Sequence, residues 1–237
     1  MSIQNRVAII TGATGGLGRV AAQKFAEQGA RLALVGTNAE KLTQVAQTLN
    51  LPDERILLHV TDVSNPAGAS ALAELTREKF GQVDILLHLV GGWSGGKPVV
   101  DLDDRDMKNM LQQHLWTTYY LAQAIIPLMR TNRWGRILAV SSPFASHPAA
   151  NLAPYAIAKA AQEALMLTIA QEEKEYGLTA NLVLVKTIDT EHARETQPTP
   201  KNASWSTPEE IIATLLHLCS DEAVMINGAR IPLFGSF

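Results

Sequence analysis

Val7-Ala8-Ile9-Ile10-Thr11-Gly12-Ala13-Thr14-Gly15-Gly16-Leu17-Gly18 decides the fold. Its four leading residues are apolar, three of them β-branched, and read as a strand buried on both faces. From Leu17 to Gln28 the pattern turns helical, with Val20, Ala21, Lys24, Phe25 and Gln28 at helical offsets and Gly29 as the stop. The glycines between strand and helix allow a tight turn and let the backbone approach a ligand with no Cβ in the way. The helix that follows offers unpaired N–H groups and the positive end of its dipole. A strand, a glycine-rich turn and a helix in this order, at the head of a βαβ unit, read as a seat for a dinucleotide pyrophosphate.

The same alternation continues along the chain. Strands are expected at Arg31–Val35, Ile56–Val60, Val83–Val90, Arg136–Val140, Ala180–Val185 and Arg230–Leu233. Helices are expected after an Asn38 cap, at 66–80, 103–130 and 154–176, and from Thr207-Pro208-Glu209-Glu210. Apolar strands separated by helices imply a parallel sheet with right-handed crossovers. The reading is α/β: one doubly wound Rossmann-type domain over 1–237, with about seven strands and helices on both faces. The cofactor half covers about 1–90 and the catalytic half about 91–237. Residues 186–205 are polar, hold Pro198 and Pro200, and read as a substrate loop.

Composition narrows the function. The net charge is −3 and the 20 basic residues form no cluster, which disfavours a nucleic-acid partner and a polybasic membrane anchor. No apolar run reaches the roughly 18–20 residues that span a bilayer. Met1 to Arg6 is polar and carries no secretory pattern, so the expected location is cytoplasmic. Cys219 is the only cysteine, reads as a small apolar residue, and excludes an internal disulfide. The six histidines show no zinc-ligand spacing, and no metal is expected.

An acid at the end of the second strand would accept hydrogen bonds from the 2′-hydroxyl of NAD and repel the 2′-phosphate of NADP. Gly36-Thr37-Asn38 stands there, which favours NADP over NAD. Asp62, after the third strand, is placed to hold the adenine amino group. Pro154-Tyr155-Ala156-Ile157-Ala158-Lys159 puts a tyrosine and a lysine on one helix face. An ammonium and a helix N-terminus both stabilise a phenolate, so Tyr155 is expected to titrate lower than free tyrosine and to exchange a proton with a substrate oxygen. Ser142 follows the apolar strand Ile137–Val140, at the sheet edge where open α/β sheets bind ligands.

Thr11-Gly12-x-x-x-Gly16-x-Gly18, Ser142 and Tyr155-x-x-x-Lys159 resemble the short-chain dehydrogenase/reductase family, and the likeness covers the chain. Ser220-Asp221-Glu222 followed by Asn227-Gly228 is similar to that family's C-terminal segment. The resemblance implies an NAD(P)-dependent oxidoreductase that moves hydride between nicotinamide and a carbonyl or alcohol. It implies that Lys159 also binds the nicotinamide ribose, that Ser142 orients the substrate, and that the chain forms a homodimer or homotetramer on its long helices. Cofactor contacts are then expected at Thr11, Gly12, Thr14, Gly16, Leu17 and Gly18, at Gly36, Thr37 and Asn38, and at Asp62 and Val63. Further contacts are expected at Val90, Gly91, Tyr155, Lys159, Ile188 and Thr190.

Departures from the family pattern sharpen this. His88-Leu89-Val90-Gly91 replaces Asn-Asn-Ala-Gly, and Val185-Lys186 replaces Pro-Gly. His114 stands where a catalytic asparagine is usual and is expected to stand in for it, since imidazole can donate and accept. Val90-Gly91-Gly92-Trp93-Ser94-Gly95-Gly96, Leu115-Trp116-Thr117-Thr118 and Thr187-Ile188-Asp189-Thr190 resemble the dihydropteridine reductase branch, whose substrate is a flat quinonoid heterocycle. Trp93 could stack on such a ring. Gly36 stands against that branch, which carries an acid there. His147 is a further candidate substrate contact, and His192 lies in the loop. A nucleotide-binding homologue that has lost catalysis is the remaining alternative.

Overall fold

The computed structural model describes residues 3–235; Met1 and Ser2 of the polar N-terminal stretch, and the last two residues of the expected domain, lie outside them. Seven parallel strands form one sheet in the order β3 (Ile56–Val60), β2 (Arg31–Gly36), β1 (Val7–Thr11), β4 (Ile85–His88), β5 (Gly135–Ser141), β6 (Leu178–Leu184), β7 (Arg230–Pro232). The order reverses between β1 and β4, and that switch point opens the crevice in which such sheets take ligands.

Period-two alternation along each strand feeds two cores. Val7 and Ile9 of β1 join Leu72 and Phe80 of α3 (Pro66–Phe80), Leu121 and Ile125 of α5 (Thr117–Asn132) and Met166 and Ile169 of α6 (Ala153–Glu173) on one face. Ala8 and Ile10 face Leu17 and Phe25 of α1 (Gly16–Glu27), Leu42 of α2 (Ala39–Leu49) and Ile211 and Leu215 of α8 (Pro208–Leu218) on the other. Cys219 closes that second core. Burial pushes its thiol up, as befits a packing residue rather than a nucleophile.

The caps fall where the side chains indicate. Asn38 accepts from Lys41 N–H at 2.9 Å, and Thr207 and Glu210 form a reciprocal capping box. Two expectations need correction. The long helix at 103–130 is two helices, α4 (Asp104–Leu111) and α5, joined by a π-helical turn at Gln112–Trp116. The strand at Val83–Val90 is paired only over Ile85–His88, because the chain beyond it leaves the sheet to border the crevice. Among the described residues no helix is long and apolar enough to cross a membrane, and no cluster of His, Cys, Asp and Glu could hold a metal.

Candidate active site

Two connected recesses lie along the C-terminal edge of the sheet. A cleft of about 510 Å³ is lined by Gly12, Thr14, Gly15, Gly36, Thr37, Asp62, Val63, Val90 and Gly91. A cavity of about 940 Å³ is lined by Leu17, His88, Val90, Gly91, Trp93, His114, Phe144, Tyr155, Lys159, Ile188, Lys201 and Trp205, among others. Val90 and Gly91 border both.

The glycine turn suits a dinucleotide. Gly12 sits at φ +69°, where side chains are strained, and a methyl there would also meet the Leu89 carbonyl carbon at 3.0 Å. A methyl on Gly18 would stand 2.1 Å from the Gly12 carbonyl oxygen, and one on Gly16 would stand 2.6 Å from Thr190 Cγ2. Gly16 and Gly18 therefore hold α1 and the 186–205 segment close to the turn. The N-terminus of α1 has no side-chain cap and no acid in its first turn. Its N–H groups and dipole are left for an anion, which is what a pyrophosphate supplies. Thr11 is fully buried beneath the turn and bonds to His88 rather than facing the cleft. Asn38 spends its side chain on its cap, so its expected cofactor contact is not through the capping oxygen.

At the other end of the crevice, the end of β5 is tied to one face of α6. The Val140 carbonyl accepts from Lys159 Nζ at 2.7 Å, Ser141 Oγ donates to Glu163 at 2.6 Å, and the Ser142 hydroxyl lies beside the Tyr155 phenol. Tyr155 follows Pro154 in the first turn of α6. Lys159 also donates to Gln162 Oε1 at 3.0 Å; Gln162 donates to Thr118 Oγ1, and Thr118 to the His114 carbonyl. Burial pushes Lys159 down to about 7, opposed by the Glu163 carboxylate. The expectation for Tyr155 is corrected: burial raises its phenol, and the Ser142 hydrogen bond only partly offsets this. Two of the three Lys159 N–H donors are spent on Val140 and Gln162, so its charge is not committed to the phenol.

His114 lies in the π-helical turn, fully buried, with its ring edge against Tyr155 at 5.8 Å between centroids. Gly91 makes room for it, since a methyl there would meet His114 Cε1 at 2.7 Å. Its Nε2 stands 3.0 Å from the Gly92 carbonyl, which can only accept. The ring proton is therefore on Nε2, and Nδ1 offers a bare lone pair with no partner among the described residues. The expectation that His114 both donates and accepts toward the site is corrected to acceptance alone. Thr11 Oγ1 accepts from Leu89 N–H and shares a hydrogen bond of 2.9 Å with His88 Nδ1. His88 Nε2 lacks a partner among the described residues. Burial first, then the charge of Lys159, holds both imidazoles down to about 3, so both are neutral at pH 7.

His147 is exposed and bonded to Ser146, away from the residues lining the cavity, which corrects its expected substrate contact. Trp93 lines the cavity at its rim with 62% of its surface exposed. The 186–205 segment is ordered by its own hydrogen bonds. Asp189 accepts from the N–H groups of Ala193 and Arg194 at the start of α7 (Ala193–Thr196), and Asn202 bonds back to Ala193 and Gln197. It brings Ile188, Pro200, Lys201 and Trp205 to the cavity wall. His192 stays outside, beside Glu195 and Glu209. Phe144 and Leu152 carry no motif that sequence reasoning could have used, whereas Lys201 and Trp205 fall in the expected substrate loop, and Ser204-Trp205-Ser206-Thr207-Pro208 is a further stretch similar to the dihydropteridine reductase branch. His88 showed as a departure, yet nothing in the sequence said that its ring would be buried at the crevice.

The family profile described as short chain dehydrogenase matches residues 6–201. The chain belongs to the short-chain dehydrogenase family. This short-chain dehydrogenase is 31% identical over 246 residues to a hydroxy(phenyl)methylsuccinyl-CoA dehydrogenase subunit, BbsD, of Thauera aromatica, covering 99% of this chain and 97% of that one. It is 27% identical to the 3-oxoacyl-(acyl-carrier-protein) reductase FabG of Salmonella typhimurium, covering 99% and 98%. Among solved structures it is similar to a short chain dehydrogenase from Bacillus anthracis, at TM-score 0.86 and 31% identity over 97% of this chain and 95% of that one. It is also similar to a 7α-hydroxysteroid dehydrogenase complexed with NADH and a 7-oxo bile acid, at TM-score 0.88 and 28% identity, covering 99% and 95%. The short-chain dehydrogenase is thus an NAD(P)-dependent oxidoreductase with a doubly wound parallel sheet.

Proposed function

We propose that the enzyme interconverts a carbonyl and an alcohol, with Tyr155 as the proton donor to, or acceptor from, the substrate oxygen. The observation that carries this is the placement of Tyr155 and the buried Lys159 on one face of α6 at the cavity wall, with Lys159 bonded to the end of β5 just before Ser142. A nicotinamide cofactor bound along Gly12–Gly18 supplies hydride to the carbonyl carbon in the reducing direction. Tyr155 gives its hydroxyl proton to the carbonyl oxygen, Ser142 donates a hydrogen bond to that oxygen, and the resulting phenolate is stabilised by Lys159. Burial raises the phenol, which makes Tyr155 a proton donor at rest and places the burden of its ionisation on Lys159.

The cofactor proposed is NADP(H). Gly36 and Thr37 line the cleft without an acid to repel a 2′-phosphate, and Asp62 is the acid on the adenine side. Steady-state turnover of a panel of ketones and aldehydes with NADPH and NADH tests the reading. Wild-type turnover that favours NADPH and is lost in Tyr155→Phe supports it; full turnover in that variant would sink the mechanism.

A flat heterocyclic substrate is the second reading, favoured by Trp93 and Trp205 lining one cavity. Quinonoid dihydropterin reduced by wild type, and much more slowly by Trp93→Ala, would establish it.

A further inference from the structure

Tyr155, Lys159 and Glu163 are spaced by four on α6 and share one face of the helix. Each holds one of three consecutive residues at the end of β5. Tyr155 lies beside Ser142, Lys159 donates to the Val140 carbonyl, and Glu163 accepts from Ser141 Oγ at 2.6 Å. The first two rungs are the proposed reacting pair and its cation. The third is a carboxylate with 7% of its side chain exposed, and neither the motif nor the reaction has yet given it a role.

A carboxylate is costly to bury unless it is paired and hydrogen-bonded. Glu163 is both. Arg230, on β7, stands 2.7 Å from its second oxygen and donates through a terminal nitrogen to Ser146 Oγ at 2.9 Å. The pair therefore joins β5, α6, β7 and the short turn that follows Ser142. Arg230 takes only one of the two carboxylate oxygens, and Lys159 is the nearest cation one turn back along the helix. Lys159 is itself buried and bonded only to neutral groups, a backbone carbonyl and an amide oxygen. The titratable neighbours facing it from other elements are His88 at the end of β4 and His114 in the π-helical turn. Both stay neutral and offer it no negative charge. On its own helix it meets Tyr155 and Glu163. Glu163 is thus the one full negative charge set against the burial of Lys159.

We propose that Glu163, steadied by Arg230, is a positioning residue of the reaction: it fixes Ser141 and so Ser142 against α6, and it keeps Lys159 charged in a site that otherwise discharges it. This rests on the Ser142–Tyr155–Lys159 reading of the site. The carboxylate touches neither substrate nor cofactor; it acts through Lys159 and the end of β5.

The test is Glu163→Gln, which keeps an oxygen for Ser141 and loses the charge. The Lys159 ammonium is titrated directly by NMR in protein carrying labelled lysine, with Lys159→Met to assign the signal. The pH profile of kcat is measured beside it. An opposite charge one helical turn away, within about 4–6 Å, moves a titration by about one pH unit or more. The Lys159 midpoint should fall by that amount in Glu163→Gln, and the kcat profile should move with it, while cofactor affinity stays near wild type. An unmoved midpoint overturns the proposal, even if activity falls. A midpoint that moves, in a protein whose wild type turns over no carbonyl or alcohol, sustains the electrostatic role and instead removes the Ser142–Tyr155–Lys159 reading. If Glu163→Gln does not fold, Arg230→Gln reads the same coupling with opposite sign. Removing the competing cation should raise the Lys159 midpoint, and an unchanged or lowered midpoint would refute the coupling.

Discussion

Gly18→Ala puts a methyl against the backbone of the glycine turn. The added methyl would lie 2.1 Å from the Gly12 carbonyl oxygen, 2.8 Å from Ala13 Cα and 2.9 Å from the Ala13 carbonyl carbon, where real Cβ contacts do not fall below 3.0 Å. All three atoms are backbone, so no side chain can swing aside. Either the first turn of α1 lifts or the Gly12–Ala13 turn retreats. Overpacking of this kind costs about 1–3 kcal/mol. Alanine returns up to about 1 kcal/mol by its better helix propensity. The net loss is up to about 2 kcal/mol, and because it displaces the turn proposed to hold the pyrophosphate, it should appear in cofactor binding. At about 1.4 kcal/mol per decade, NADPH affinity should fall by up to roughly 30-fold. Gly15→Ala is the internal control. Its methyl meets Gly12 O at 3.4 Å, an ordinary contact, and its φ of −74° suits alanine. Fluorescence titration of NADPH against the two variants checks the pair. Gly18→Ala binding as tightly as wild type, or Gly15→Ala losing as much, would refute the steric account.

Further outcomes follow from the site. Tyr155→Phe should lower kcat by about 10²–10⁴-fold with little change in cofactor affinity, since it removes the proton donor and keeps the ring; steady-state kinetics beside a binding titration separates the two. Gly36→Asp should reverse the cofactor preference toward NADH, because a carboxylate repels the 2′-phosphate and accepts from the 2′-hydroxyl; the ratio of kcat/KM for the two nucleotides reads it. In the reducing direction the rate should fall as pH rises through about 7, where Lys159 loses its charge, as a pH–rate profile would show. His88 and His114 hold their protons off until about 3, while the unfolded chain takes them up near 6.5. The unfolded state then binds more protons, so stability is full above about 6.5 and falls on acidification. The slope is at most about 1.4 kcal/mol per pH unit for each imidazole. Thermal melts from pH 7 to pH 4 should slope accordingly, and less steeply in His114→Asn.

Most of the fold was legible because its determinants are local. The β-branched run at Val7–Ile10, the cap at Asn38 and the capping box at Thr207–Glu210 each act within a few residues, and α3 falls at the 66–80 read from periodicity. The break inside the expected 103–130 helix was not legible. A π-helical turn keeps the apolar period nearly intact and is chosen by what His114 and Thr118 meet in space. The Ser142, Tyr155 and Lys159 candidates were readable because a fixed spacing on one helix face and a strand end put them together. Their protonation was not, because it depends on burial and on partners far along the chain. Arg230, 71 positions beyond Lys159 in the chain, reaches it only through Glu163. His147 failed because its spacing from Ser142 says nothing of the turn that carries it outward.

The π-helical turn at Gln112–Trp116 makes the α4–α5 rod one residue richer than an α-helix along the same path. Removing a single residue there would let the rod close into a regular helix at little backbone cost. Both flanks would keep their faces, since they follow the same path with or without the extra residue; only the residues of the turn itself would change direction. His114 would lose its place against Tyr155, so the loss of one codon would re-face the wall of the cavity without touching the sheet or the helices on either side. The segment is in effect a register dial, set where one added residue turns an imidazole toward Tyr155.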